Sequence, residues 1–392
     1  MREQTIVVSG DYDLQQLVND ARTARRIGLD TEFMREKTYH AQLCLVQVAG
    51  ADRIGLIDPL EGADVGPVAD LVADRNIEII VHAGRQDFEI LLSLFDVVPR
   101  NVFDVQLAAG FIGLGSTLAY HRLVEETIGA KVSKGEAYTD WCRRPLTDLQ
   151  VTYAANDVRY LLPVADYLKN RLVELGRADW ASEEMNAFEA RAMYETAPEN
   201  AWRRVPGRGT LNPRATAVLK EVAAWREETA RRRDVPRGWV VRDPTLVEIA
   251  RRRPASLSQL KGIRGLAYKE AARSADGIID AVERGLNAEP VAAPQGPSRS
   301  SLARAQMVSS VADAVVRARC ASAEIASELV ATRAELEAVL ADLFDGSADT
   351  SRHRLLHGWR RKVAGDAVLA LARGEIAVRI ADHPPYVEEV AP

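Results

Sequence analysis

Residues 27–33 read IGLDTEF. An apolar approach ends in two acids at alternate positions, Asp30 and Glu32. Alternate side chains of a strand share a face, so the two carboxylates project side by side. Like charges that close raise each other's pKa unless a cation neutralises them. A divalent metal with oxygen ligands does this, and Mg²⁺ commonly takes one or two carboxylates while keeping waters. Taken alone, the pair reads more simply as an exposed strand edge, because acids are ordinarily surface residues.

Working outward, Gln42–Ala49 and Arg53–Asp58 are β-branched or alternating runs joined by short polar links, which predicts a meander of strands beside Ile27–Phe33. Upstream, Thr5–Ser9 reads as a short strand and Tyr12–Arg25 as an amphipathic helix. Downstream, Ile77–His82 (IEIIVH) is nearly all apolar, as expected of a strand buried on both faces. Arg85–Phe95 has helical spacing through Phe88, Leu91, Leu92 and Phe95. Further helices are expected over Leu118–Ile128, Asp148–Leu162 and on to about Tyr194. Strands and helices in this order predict an α/β domain with a mixed sheet.

Two more acids bear on the first pair. Asp87 opens the helix that follows IEIIVH, where an acid is ordinarily a capping or dipole residue. Asp157 lies in QVTYAANDVRYLL, four residues after Tyr153, so a phenol and a carboxylate share one helix face. An ordinary half-buried aromatic is the plain alternative for Tyr153.

The set LDTEF, HAGRQDFEIL and YAANDVRYL resembles the three motifs of the DEDD exonuclease superfamily, in its tyrosine-bearing (DEDDy) branch. KGEAYTDWCRRPLTDLQVTYAANDV closely resembles the bacterial ribonuclease D family. The resemblance implies an α/β ribonuclease H-like 3′→5′ exonuclease domain at residues 1–200, a mixed sheet flanked by helices. Two all-α HRDC-type domains follow: an HRDC domain at 211–288, then a linker at 289–301 and a second HRDC-like helical domain at 302–384. It also implies that Asp30, Glu32 and Asp157 hold one divalent metal, that Asp30 is shared with a second, and that Asp87 holds the second largely through waters. Tyr153 would orient the attacking water. The implied cofactors are two Mg²⁺ or Mn²⁺ ions per site, and the implied partner is RNA, with precursor tRNA and other small structured RNAs trimmed at their 3′ ends to release 5′-mononucleotides.

Phosphodiester hydrolysis suits this residue set. It places negative charge on an already anionic centre, and two ions facing the attacking and leaving oxygens counter it without a nucleophilic Ser or Cys. Phe33 and Met34, directly after the acid pair, are candidates for a wall or stacking surface at the terminal base, with core packing an equal alternative. Lys134, Arg143 and Arg144 are candidates for phosphate contacts, with solvated surface as the alternative.

The formal charge of −5 conceals a division along the chain. Residues 1–200 hold 20 basic and 32 acidic residues, net −12; residues 201–300 hold 20 and 11, net +9; the remainder holds 11 and 13, net −2. The basic block, with Arg231–Arg233 and Arg251–Arg253, suits RNA phosphates or a solvated helix surface. An irregular stretch over Ala197–Asn212 marks the first boundary, helices follow from Pro213 to about Gly285, and Ala292–Ser301 reads as a flexible linker. Helices return over 302–380, and the tail after Asp382 is expected to fray.

Several classes are excluded. No apolar run approaches a membrane span. FIGLGS at 111–116 lacks dinucleotide-loop spacing and no GxxxxGK[ST] occurs, so no nucleotide cofactor is expected. Cys44, Cys142 and Cys320 form no CxxC pair and read as buried thiols, and His353 with His357 lacks the Glu of a zinc-protease motif. A cytoplasmic monomer is the expectation. Two competing readings are a DNA-directed 3′→5′ exonuclease and a non-catalytic RNA-binding scaffold that merely inherits the fold.

Overall fold

The computed structural model describes residues 4–8, 10–132, 139–292, 296–346 and 351–392. Six strands organise the N-terminal half: β1 (Gln4–Val8), β2 (Arg26–Met34), β3 (Gln42–Ala49), β4 (Arg53–Ile57), β5 (Glu78–Val81) and β6 (Val102–Asp104). Their order across the sheet is β1-β4-β3-β2-β5-β6. The β2–β3–β4 meander is antiparallel, while β1 on β4, β5 on β2 and β6 on β5 are parallel. The meander and the doubly buried β5 match the sequence pattern. β6, three residues long, has too little alternation to register as a strand.

Helices cover both faces of this sheet. On one face lie α1 (Asp11–Ala24), α2 (Gly66–Ala73) and α3 (Arg85–Phe95), contributing Leu17, Leu71 and Phe88 to a core shared with Ile27, Leu29 and Val48. On the other lie α4 (Val105–Phe111), α5 (Tyr120–Ile128), α6 (Asp148–Arg159), α7 (Leu161–Glu174) and α8 (Ala178–Met185). Alternation along β2 and β3 thus decides which side chains meet α3 and which meet α6.

Two helical modules follow. The first runs through α9 (Pro213–Arg233), α10 (Arg237–Val240), α11 (Asp243–Arg252), α12 (Leu257–Lys261) and α13 (Tyr268–Asn287). Asn212 caps α9 by accepting from Ala215 N at 2.9 Å, with Pro213 in its first turn. The second begins with α14 (Arg299–Ser322), α15 (Ser327–Val330) and α16 (Arg333–Phe344), and continues through Gly358–Arg360, a π-turn at Arg361–Gly365, and Asp366–Arg373. The two modules repeat one plan. A long helix ends, a residue turns left-handed (Asp234, φ 45°; Glu324, φ 49°), a four-residue helix follows, and after two residues a third helix starts.

The expected frayed tail is instead ordered. Ala377–Ile380 pairs antiparallel with Val387–Val390, and Arg319 on α14 holds Glu389 through two bonds of 2.5 and 2.6 Å. A hairpin closed over the helix gives these residues backbone partners that composition alone does not announce.

The modules attach to the first domain differently. The first keeps its own core around Val222, Leu246 and Ile278, and meets the sheet domain through Tyr39 in the β2–β3 loop. Tyr39 N and His40 N both donate to Asp234 Oδ1 at 3.0 Å, and Arg231 Nε donates to the Tyr39 hydroxyl at 2.9 Å. The second module merges with the sheet domain's core: Trp359 stacks on Trp180 at 5.5 Å and meets Phe111 edge-on at 5.1 Å. Arg360 clamps Glu184 with bonds of 2.5 and 2.6 Å.

Candidate active site

β2 positions the first acids. Asp30 and Glu32 project toward the α6 face, and Thr31 between them points toward α3. Immediately after Glu32 the register shifts: Glu32 pairs with Leu45 but Phe33 with Leu43, so Cys44 forms a bulge. Such a bulge bends and twists a strand, here just beyond the acid pair.

α6 brings the third acid. Its first turn is fixed by a capping box between Thr147 and Gln150, whose reciprocal bonds satisfy two exposed backbone donors. Ala154, Ala155 and Val158 bury one face against the sheet, which sets Asp157 above β2. Ligand oxygens of Asp30, Glu32 and Asp157 all lie within 4.8 Å of one another. Tyr153, one turn before Asp157, lies within hydrogen-bonding reach of that carboxylate and packs on Trp141 at 5.9 Å.

α3 brings the fourth acid from the other side. Asp87, only 6% exposed, accepts a hydrogen bond from the Thr31 hydroxyl. The turn into α3 is held by Asp104, whose carboxylate accepts from Ala83 N and Gly84 N at 3.2 Å each. Asp104 also caps α4 through Gln106 N at 2.9 Å and Leu107 N at 3.2 Å. One buried acid thus shapes the tight turn, with Ala83 at φ 58°, that presents Asp87. Sequence reasoning missed Asp104, although an acid before the helical run VQLAAGF is a cap signal.

The electrostatics of the four acids are one-sided. Burial, joined by repulsion from Asp87, Asp157 and Glu32, holds Asp30 well above the usual carboxylate range. Burial and repulsion from Asp157 and Asp87 push Glu32 up to about 8. Burial raises Asp157 to about 7, with the Tyr153 hydrogen bond opposing it, and raises Asp87 to about 6 against the Thr31 bond. Burial and the neighbouring acids push the Tyr153 phenol well above its ordinary range. Among the described residues only hydrogen bonds stabilise the charged acids, so a cation from solution is the natural counter-charge.

The remaining candidates divide. Phe33 and Met34 are half-buried, Phe33 beside the α3-side core and Met34 beside the α6-side core. Arg35, next along, pairs with Glu89 of α3 at 2.5 Å. Arg143 is exposed. Lys134 lies outside the described residues. Arg144 is corrected: its five N–H donors all go to protein acceptors. Nε and Nη2 bind both Asp58 oxygens at 2.6 Å, Nη2 also binds Cys44 O at 2.6 Å, and Nη1 binds Trp141 O at 2.8 Å and Arg143 O at 2.9 Å. A guanidinium so committed is a structural clamp, with no donor left for a phosphate. His82, as expected of a packing histidine, lies edge-on to Tyr120 and 3.0 Å from Leu118 O.

A 3′–5′ exonuclease family model matches residues 5–173, and an HRDC domain model matches residues 215–282. Ribonuclease D of Nitrobacter hamburgensis is 37% identical over 357 residues, covering 90% of this chain and 91% of the relative. Ribonuclease D of Gluconacetobacter diazotrophicus is 35% identical over 378 residues, covering 96% and 94%. The crystal structure of Escherichia coli RNase D, described as an exoribonuclease involved in structured RNA processing, superposes with a TM-score of 0.79 at 31% identity, covering 95% of this chain and 99% of that one.

Proposed function

We propose a reaction scheme from one premise: the chain belongs to the ribonuclease D family and is a 3′→5′ exoribonuclease. Asp30, Glu32 and Asp157 would hold one divalent cation, and Asp30 with Asp87 a second. Hard carboxylate oxygens suit Mg²⁺ or Mn²⁺. The observation that carries this is the convergence of three carboxylates within 4.8 Å, with the fourth acid raised by the same burial. When bound, such ions would activate water and stabilise the departing 3′-oxygen.

The chain's own residues then have separate tasks. Tyr153, within hydrogen-bonding reach of Asp157, orients the attacking water through its hydroxyl. Phe33 and Met34 border the site and meet the terminal nucleotide. Arg143, exposed before α6, contacts a nearby phosphate. Asp104 holds the turn that aims Asp87.

The substrate reading is RNA with a structured body and a single-stranded 3′ end, above all precursor tRNA, released as 5′-mononucleotides. The net +9 over residues 201–300 supports phosphate contact by the HRDC domain. Residues 302–384 read as a second HRDC-like module, supported by the repeated helical plan. All acids come from one chain, which supports a monomeric enzyme, and three free cysteines suit a reducing cytoplasm. Among the described residues no helix is long and apolar enough to cross a membrane.

The test is product analysis on a 3′-extended precursor tRNA with and without Mg²⁺, beside a matched DNA oligomer. Expected are metal-dependent release of 5′-mononucleotides, a preference for RNA, and loss of trimming in the Asp30→Asn/Asp157→Asn double variant with RNA binding retained. Full activity in excess chelator refutes the scheme.

A further inference from the structure

Gln47 sits in the middle of β3 and is completely buried, yet neither its Nε2 nor its Oε1 has a hydrogen-bond partner among the described residues. Its same-face neighbours along the strand, Leu45 and Ala49, are buried and apolar, so the position accommodates an apolar side chain. An amide buried without a partner is strongly disfavoured, and such groups in native proteins call for an explanation in terms of an ion, a water or a function.

The sheet register supplies the location. Gln47 lies directly opposite Asp30 in the β2–β3 ladder. Opposed residues of an antiparallel pair point to the same face with Cβ atoms about 4.5–5.5 Å apart. Leu45 and Ala49, on the Gln47 face, pack in the core that α6 covers. The orphaned carboxamide therefore lies beside the Asp30 carboxylate, beneath the helix that carries Asp157.

We propose that Gln47 is a positioning residue of the metal centre: its Nε2–H donates to the Asp30 carboxylate when a divalent cation engages that carboxylate. A carboxylate shared between two ions must present a fixed oxygen to each, and a donor behind it fixes the rotation of the group. This inference rests on the metal-centre reading given above.

The test uses the full-length protein and Mn²⁺ as probe, with the electron paramagnetic resonance signal of free Mn²⁺ reporting uptake. Gln47→Met keeps the length of the side chain and removes both polar atoms. Its metal-free melting temperature should equal or exceed that of the wild type, while Mn²⁺ affinity falls about 10-fold or more. The kcat should fall with KM for RNA nearly constant. Mn²⁺ affinity within twofold of the wild type overturns the proposal, because a merely structural glutamine alters stability alone. If the Met variant melts low, wild-type protein labelled with side-chain ¹⁵N-glutamine decides. One NH₂ pair, absent from Gln47→Glu, should shift on adding Mg²⁺, and an unmoved pair overturns the proposal. A wild type that takes up neither cation removes the metal centre itself, which is a different failure.

Discussion

Asp30 and Asp58 belong to one sheet and meet opposite company. Asp58, 5% exposed at the end of β4, is gripped by both arms of the Arg144 fork. Asp30, on β2, faces Glu32, Asp87 and Asp157, and burial together with repulsion from all three lifts its pKa. The protein can therefore pair a buried carboxylate within a few strands of the site, and at the site no arginine or lysine among the described residues does so. An arginine there would neutralise the acids permanently; on the proposed scheme, leaving them without one would keep the pocket open to small cations with room for water. On that scheme the difference separates a carboxylate kept for the fold from carboxylates kept for chemistry.

The largest test of that contrast is Asp30→Asn. It should lower the trimming rate at saturating Mg²⁺ by about 10³-fold or more, as loss of a group facing developing charge does. Metal-free thermal stability should rise, because a buried amide neither repels the other acids nor has to be held protonated. A melting temperature that drops sharply would erase the distinction from Asp58. Asp58→Asn should do the reverse: it strands the Arg144 charge and costs about 3–5 kcal/mol of stability by chemical unfolding. The rate of the molecules that remain folded should stay within a fewfold of the wild type.

Tyr153→Phe sharpens the comparison within the site. It removes the hydroxyl and leaves the ring on Trp141, so kcat should fall about 10–100-fold with KM for RNA nearly constant. A KM effect without a kcat effect would move Tyr153 from water orientation to substrate binding.

A subtler effect is the pH dependence of the metal-free protein. Glu32, Asp157 and Asp87 are raised to about 8, 7 and 6 in the folded state. The folded form holds protons that the unfolded chain has already released, so this contribution to stability is full below about pH 4 and is lost as pH rises through 6–8. Cations offset the loss. Differential scanning calorimetry should show Mg²⁺ raising the melting temperature more at pH 8 than at pH 5.5; an equal or inverse rise contradicts the raised values. The smallest effect belongs to Arg143→Ala, a KM change of about two- to threefold that fades with added salt, as expected of one exposed phosphate contact.

How much of this was legible in the sequence follows from how local each signal is. The alternation in IGLDTEF, the apolar IEIIVH run and the helical spacing of YAANDV sit within single elements, and the fold places the acids of the first and last, Asp30, Glu32 and Asp157, within 4.8 Å of one another. Arg144 failed because five acceptors converge on it from Asp58, Cys44, Trp141 and its own loop, and only folding places them there. Gln47 was invisible for the same reason: its meaning depends on lying opposite Asp30, which register alone determines. Asp104 had a readable local role as a helix cap, but its second grip on the Ala83–Gly84 turn crosses from β6 to β5 and is a matter of topology. The ordered tail depended on Arg319, about 70 residues upstream.

The shared core around Phe111, Trp180 and Trp359 has a consequence for how the chain comes off the ribosome. The face that Trp359 covers emerges with the first domain, but its cover is translated only after the whole HRDC domain. At about 5–20 residues per second, that interval lasts roughly ten to thirty seconds, during which the nascent first domain carries an uncovered aromatic surface. Deleting the middle module by design would shorten that wait, whereas stopping translation before Trp359 would make it permanent.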